Sequence, residues 1–136
     1  MKLLPWIFIA LVALPGFVSA AEHTKDSLQT VQKNLKADKA VLIDVREEAE
    51  WKEAHLVDAM HVPLSLLKSG NGSEKLTKVL RQQIPKKKIV YAHCAAGVRC
   101  RTAADLLIKM GYDVRPLRAD FQELLDAGFP KAAPAK

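Results

Sequence analysis

Cysteine is scarce in this sequence, and the two cysteines that it has, Cys94 and Cys100, stand in one short segment. Small domains that depend on disulfides in place of an apolar core need several cysteine pairs spread along the chain. This chain must therefore fold around a hydrophobic core, and its 49% content of hydrophobic residues can supply one. The two cysteines are left for chemistry or for one local bridge.

Aromatic residues are also few, at 6% of the chain, and they do not alternate with the basic residues. Nucleic-acid interfaces combine clustered cations with aromatic rings on which bases stack. The formal charge of +6 is scattered, except at Lys86–Lys88. We therefore predict no nucleic-acid partner. The histidines and cysteines show no metal-ligand spacing, so neither a metal nor another cofactor is expected.

The longest apolar run, from Leu3 to Leu14, is shorter than the roughly 20 residues that a membrane-spanning helix needs. It follows the positive start Met1-Lys2 and precedes Pro15-Gly16 and the small residues of Val18 to Ala20. This order is typical of a secretory signal. We predict a signal peptide at 1–20, cleaved after Ala20 or one residue later, and an uncleaved membrane anchor is the alternative. The mature protein would be periplasmic or secreted, without stable membrane association.

Apolar segments of two periodicities alternate along the rest of the chain, which has room for one domain at residues 24–130 and a flexible tail at 131–136. Thr24 is predicted to cap a first helix over residues 25–37. Strand and helix signals then alternate to the end, which predicts an α/β fold with helices flanking a central, mainly parallel sheet on both faces. The predicted strands are 40–45, 57–62, 88–92 and 112–117, and further helices lie near 47–53, 64–67, 76–84, 99–110 and 121–127.

The segment from Cys94 to Arg99 lies between a predicted apolar strand and an amphipathic helix. Parallel sheets bind ligands at the carboxyl ends of their strands, and a short loop that enters a helix exposes several N–H groups that favour an anion. Small side chains let such a loop curl around a ligand. We therefore predict an anion-binding loop formed by Ala95, Ala96, Gly97, Val98 and Arg99.

Cys94 is the first residue of this loop and is the predicted nucleophile. Main-chain N–H groups, a helix N-terminus and nearby arginines all lower the pKa of a thiol. Arg99 would hold a dianion such as thiosulfate through two N–H groups, and Arg101 would assist from the helix. In this mechanism Cys94 attacks the outer sulfur of the donor, sulfite leaves, and an acceptor then takes the sulfur.

Taken together, several segments of the sequence resemble the rhodanese family. Residues 40–51 (AVLIDVREEAEW) and 53–64 (EAHLVDAMHVPL) are similar to the early motifs of that family. Residues 88–100 (KIVYAHCAAGVRC) are similar to its active loop, and residues 110–130 to its C-terminal signature. The similarity covers roughly residues 26–130, and the chain most resembles the small exported single-domain members of the family.

The resemblance implies a thiosulfate sulfurtransferase that carries sulfur as a persulfide on Cys94, with supporting roles for Asp44 and Arg46. It also implies that the loop, with four residues between Cys94 and Arg99, is sized for sulfur and not for the phosphate of related phosphatases. The partners would be a small anionic sulfur donor and an acceptor, either cyanide or a thiol, including a protein thiol. A structural ion pair, and not proton transfer, is expected of Asp44.

Cys100 departs from the family pattern, which usually has Ser or Thr at this position to hydrogen-bond the thiolate. Cys100 could simply replace that hydroxyl, or it could face Cys94 and form a disulfide with it. It could also attack a Cys94 persulfide and release sulfide. A periplasmic thiol–disulfide redox protein and a sulfur carrier, each using both cysteines, therefore stay open as alternatives to the sulfurtransferase.

Overall fold

The computed structural model describes residues 20–134, which form ten helices and strands in the alternating order that the sequence predicts. The predicted signal peptide lies outside the described residues, except for Ala20. Within residues 20–134, no helix combines the length and the apolarity needed to cross a membrane. In chain order the elements are α1 (Leu28–Lys36), β1 (Ala40–Asp44), α2 (Glu48–Glu53), β2 (Ala59–His61), α3 (Leu64–Ser69), α4 (Glu74–Gln83), β3 (Ile89–His93), α5 (Arg99–Lys109), β4 (Asp113–Pro116) and α6 (Phe121–Asp126).

The four strands form one sheet in the order β2-β1-β3-β4, and every pair of neighbours is parallel. The register places Asp44, the last residue of β1, beside His93, the last residue of β3. The predicted parallel sheet is thus confirmed. Its carboxyl edge brings together the two chain segments that the sequence analysis selected, those after β1 and after β3.

Helices cover the sheet on both faces, as predicted, and each layer encloses its own apolar cluster. Val90 and Ala92 of β3 point towards α3, α4 and α5, where Leu67, Leu80 and Leu107 are buried against them. The alternating residues of β1 and β3 point the other way, towards α1, α2 and α6. That second cluster includes Leu42, Tyr91, Val31, Trp51 and Leu124. The nearly continuous apolar runs of β1 and β3 arise because these central strands are covered on both sides.

Helix α1 begins three residues later than predicted, because Ser27 and not Thr24 provides its N-cap. The Ser27 hydroxyl accepts the Thr30 N–H. Asp26, which precedes the helix, accepts hydrogen bonds from the Tyr91 hydroxyl at 2.6 Å and from Arg115 at 3.0 Å. Asp26 thereby ties the segment ahead of α1 to β3 and β4.

The hydrogen-bonded structure extends beyond both ends of the predicted 24–130 domain. At the C-terminal side, Lys131 forms an isolated bridge with Leu56, and the Ala132 N–H donates to the His55 carbonyl at 2.8 Å. The predicted tail at 131–136 is therefore paired with the chain through Ala132, and its last two residues lie outside the described part. At the N-terminal side, residues 20–23 reach the loop that follows β3, as the next subsection describes.

The two tyrosines provide a matched test of the Asp26 contact. Tyr91 is buried and its hydroxyl also accepts a hydrogen bond from Asn34, whereas the buried Tyr112 hydroxyl has no hydrogen-bond partner among the described residues. Tyr91→Phe should lower the free energy of unfolding by about 1–3 kcal/mol, because Asp26 and Asn34 lose their partner. Tyr112→Phe should not lower it, because no hydrogen bond is lost and a buried hydroxyl without a partner is removed. Urea unfolding of both variants measures this, and equal losses would contradict the assignment.

Candidate active site

Cys94 directly follows β3 at the carboxyl edge of the sheet, and α5 begins only five residues later, at Arg99. The loop between them therefore turns sharply to bring the chain back over the sheet. Gly97 makes this turn possible with a φ of 77°, a conformation that favours glycine. A Cβ at this position would also lie 2.6 Å from the Arg118 carbonyl oxygen, so the loop packs directly against the chain after β4.

The turn directs main-chain donors at the Cys94 sulfur. The Cys100 N–H donates to Cys94 Sγ, with 3.4 Å between nitrogen and sulfur. The N–H groups of Ala96 and Gly97 lie near enough to this sulfur to favour its thiolate. The loop itself is held from outside, because its Ala95 carbonyl accepts the Phe121 N–H at 3.2 Å. A sulfur anion at this position would thus be met by several donors that the fold has already oriented.

These contacts lower the pKa of Cys94 to about 5. The hydrogen bond from the Cys100 thiol contributes most, the N–H groups of Cys100, Ala96 and Gly97 add to it, and burial opposes them. The pKa of Cys100 is raised by the neighbouring Cys94 sulfur and by burial. Its thiol donates a hydrogen bond to the Leu117 carbonyl oxygen at 3.3 Å. Cys94 is therefore the anion, and Cys100 keeps its proton.

Both cysteines are free thiols in the structure, and both are buried. Only 1% of Cys94 is exposed, whereas Val98 on the same loop is 69% exposed. The sulfur therefore lies beneath the loop with the donors turned towards it. A reactant must present a small terminal atom to reach this sulfur, since the loop leaves little open space above it.

Arg99 does not extend freely over the loop as the sequence suggested. Its two terminal nitrogens donate to both carboxylate oxygens of Glu50 on α2, at 2.6 Å and 2.7 Å. The pair is about one-third exposed, and the Arg99 guanidinium lowers the pKa of Glu50, so that carboxylate is ionised. The side chain that was predicted to hold an anionic donor in a bidentate grip already holds a carboxylate in that way.

Arg101 also differs from its predicted role of assisting Arg99. Its guanidinium donates to the carbonyls of Ala21 at 2.8 Å and Ala20 at 3.2 Å, which turns it towards the N-terminal segment. Next to this contact, the His23 ring hydrogen-bonds the Gly97 carbonyl. Because the C=O and N–H of one peptide plane point in opposite directions, fixing that carbonyl outward turns the Val98 N–H inward. His23 thus helps to orient the loop.

Asp44 and Arg46 form a buried ion pair beside the site, as expected of a structural role. Arg46 donates to both Asp44 oxygens at 2.8–3.1 Å and to the Ala54 carbonyl at 2.7 Å, and its guanidinium lies over the Phe121 ring.

His93 is fully buried, with Nε2 3.6 Å from Asp44, and burial lowers its pKa, so its ring is neutral. Strand alternation turns this ring to the opposite face from Cys94.

Two residues of the site were missed by the sequence analysis, Glu50 and His23. Glu50 had a detectable signal, because it lies on the helix that follows β1, and the carboxyl ends of β1 and β3 meet at one edge of the sheet. His23 had none, since its contact with Gly97 spans 74 positions of sequence outside any predicted element. Between residues 20 and 134, no group of three or more His, Cys, Asp or Glu side chains is arranged to hold a metal ion.

Comparison with known proteins agrees with this geometry. The family model of the rhodanese-like domain matches residues 27–127. A sulfurtransferase of Allochromatium vinosum is 27% identical over 110 residues, which are 80% of this chain and 94% of that protein. A probable adenylyltransferase/sulfurtransferase of Mycobacterium tuberculosis is 35% identical over 74 residues, which are 54% of this chain but only 17% of that protein.

Solved structures give the same result for the fold. The human single-domain sulfurtransferase superposes with a TM-score of 0.61, at 23% identity, covering 74% of this chain and 94% of its own. At that identity the likeness shows the fold alone, while the sulfurtransferases similar in sequence support a sulfur-transfer role. On the extent of the family match, this chain belongs to the rhodanese-like domain family.

Proposed function

We propose that this protein is a sulfurtransferase that moves sulfane sulfur from a small anionic donor such as thiosulfate to cyanide or a thiol through a persulfide on Cys94. The observation that carries the proposal is the hydrogen bond from the Cys100 N–H to the Cys94 sulfur, beside which the Cys100 thiol and the N–H groups of Ala96 and Gly97 also favour the thiolate. A nucleophile needs to be anionic at neutral pH, and a pKa of about 5 makes Cys94 so.

The proposed transfer has two steps. In the first, Cys94 Sγ attacks the outer sulfur of thiosulfate, the S–S bond of the donor breaks, and its electron pair leaves with sulfite. The product is a Cys94 persulfide whose outer sulfur carries the negative charge. In the second, cyanide or a thiolate attacks that outer sulfur, and the S–S bond to Cys94 breaks. Cyanide leaves as thiocyanate, a thiolate leaves as a new persulfide, and the Cys94 thiolate is regenerated. No proton or external electron is needed in either step.

The loop suits both charged states of this cycle. In the first state, the negative charge lies on Cys94 Sγ, and in the second it lies one bond further out on the added sulfur. Preorganised N–H groups stabilise a developing anion without a reorganisation cost at the moment of reaction. The N–H groups of Ala96 and Gly97, which favour the Cys94 thiolate, would also stabilise the charge on the added sulfur.

The redox alternative receives less support from the same geometry. A resolving cysteine attacks as a thiolate, but the pKa of Cys100 is raised by its hydrogen bond to Cys94 and by burial. This supports a protonated Cys100 beside the Cys94 thiolate, in the position where the family usually has a hydroxyl. A sulfur carrier with a protein acceptor would use the same Cys94 persulfide and would differ only in the partner that removes the sulfur.

We also propose that the protein is exported and that its signal peptide is cleaved a short distance ahead of His23. Cleavage after Ala20 would keep the hydrogen bond from Arg101 to the Ala21 carbonyl and lose the one to the Ala20 carbonyl, whereas cleavage one residue later would lose both. We therefore propose Ala21 as the mature N-terminus. Intact-mass measurement of the protein secreted by its native host tests this, and a mass that retains Met1 to Ala20 would contradict it.

The central prediction is a change of mass. Incubation of the reduced protein with thiosulfate should add one sulfur atom to each chain, and cyanide should remove it as thiocyanate. Cys94→Ser should abolish the gain, because the nucleophile is absent, whereas Cys100→Ser should retain it. Whole-protein mass spectrometry measures both results. A sulfur adduct on the Cys94→Ser variant would sink the proposal, and a loss of two hydrogen atoms in air, in place of a gain of sulfur, would favour the redox protein.

A second prediction concerns the role of Cys100. Alkylation of Cys94 by iodoacetamide in the wild type should be independent of pH near neutrality and fall as the pH drops through about 5, because the thiolate is then protonated. Cys100→Ala removes the largest contribution to this shift and should move the midpoint up by at least about one pH unit. Cys100→Ser retains an O–H donor and should shift it less. Equal midpoints for the wild type and Cys100→Ala would show that the thiol does not stabilise the anion.

A further inference from the structure

The ion pair between Arg99 and Glu50 changes the charge that a sulfur donor meets. Arg99 is the cation of the active loop, and its pKa is raised first by Glu50 and also by the negative charge of Cys94. The guanidinium therefore interacts with two anions at once. Glu50 neutralises Arg99 through a bidentate contact. A dianionic donor that binds beside Arg99 therefore meets a cation whose charge is already balanced.

This arrangement penalises a doubly charged donor. Thiosulfate would have to approach an anionic sulfur while sharing the guanidinium with Glu50, and like charges at contact distance repel each other strongly in a partly buried site. A guanidinium has five N–H donors, of which Glu50 occupies two, so thiosulfate can still bind but gains less from doing so. A donor without net charge would meet less of this repulsion than a dianion does.

The surface around the loop is also suited to such a donor. Val98 is 69% exposed and places an apolar side chain next to Arg99 at the outer edge of the loop. The side chain of Ala96, on the same loop, is exposed as well. The carbon stem of an alkyl persulfide could contact these side chains while its terminal sulfur reaches Cys94, whereas a sulfonate group gains nothing from apolar contact.

We propose that Glu50 is a specificity-determining residue that makes the site favour thiol persulfides of low net charge over dianionic donors such as thiosulfate. The inference rests on the proposed function, because it concerns the donor that loads Cys94. In the favoured reaction, the Cys94 thiolate attacks the terminal sulfur of the persulfide, the S–S bond of the donor breaks, and the donor leaves as its thiolate. Atoms and charge balance without any other reactant.

The test compares two donors of different charge in single-turnover loading. Thiosulfate is the dianion, and cysteamine persulfide, whose ammonium balances its persulfide anion, is the donor without net charge. Cys94 loading is followed by rapid quenching and whole-protein mass spectrometry over a range of donor concentrations at fixed ionic strength. This readout avoids the direct reaction of cyanide with a free persulfide.

Glu50→Gln keeps the size and one carbonyl acceptor for Arg99 but removes the charge. We expect it to lower the half-saturating thiosulfate concentration about tenfold, which corresponds to about 1.4 kcal/mol, with little change in the limiting rate. Loading by cysteamine persulfide should change by less than about twofold, since that donor has no net charge to repel. The ratio of the two loading efficiencies should therefore rise about tenfold in favour of thiosulfate.

Glu53→Gln is the matched control, because Glu53 lies on the same short helix, is exposed and has no ion pair among the described residues. It changes the net charge of the protein equally and should leave the donor ratio within about twofold of the wild type. A purely structural role of Glu50 would slow loading by both donors alike, and a thermal melt of each variant reports any loss of folding.

The outcomes separate this inference from the proposed function. If the wild type loads sulfur on Cys94 but Glu50→Gln leaves the donor ratio unchanged or lowers it, Glu50 does not set donor preference and only this inference falls. If Glu53→Gln raises the ratio as much as Glu50→Gln does, the effect is one of net charge and the inference is again overturned. If neither donor adds sulfur to wild-type Cys94, the proposed function fails and the inference fails with it.

Discussion

Hydrogen bonds donated to one buried sulfur atom are the constraint on which the rest of this structure depends. A thiolate that is only 1% exposed would be strongly unfavourable without them, because an isolated anion loses its hydration on burial. The Cys100 thiol and the N–H groups of the loop replace that hydration. Their positions follow from the join of β3 to α5, since a strand that enters a helix through so short a loop must turn its N–H groups inward. The chemistry of Cys94 is therefore a consequence of chain geometry.

The loop keeps this geometry because other parts of the fold restrain it from several sides. The start of α6 holds the Ala95 carbonyl, the N-terminal segment holds the Gly97 carbonyl through His23, and α2 holds Arg99 through Glu50. None of these restraints is a neighbour of the loop in sequence. A loop of small residues such as this one has little intrinsic stiffness, and it gains its rigidity from contacts that form only when the whole domain has folded.

The sequence was sufficient to predict the order of the elements, the parallel sheet and the position of Cys94, because each follows from local periodicity or from the join of a strand to a helix. It was not sufficient where two residues compete for one local role, as Thr24 and Ser27 do for the cap of α1. It also failed for the partners of the arginines. Arg99 pairs with Glu50 across 49 positions, and Arg101 reaches Ala20 and Ala21 across about 80, so only the tertiary fold decides which acceptor each one meets.

The close packing of Gly97 against the Arg118 carbonyl also limits how wide the loop can be on that side. A Cβ at this point would come within 2.6 Å of that oxygen, so the loop has no space to widen in this direction. A longer loop, able to enclose a whole phosphate group in place of one sulfur atom, would have to displace the chain between β4 and α6, and with it the contact of Phe121 with Ala95. Conversion to an enzyme for larger oxyanions would therefore require rebuilding this connection as well as lengthening the loop.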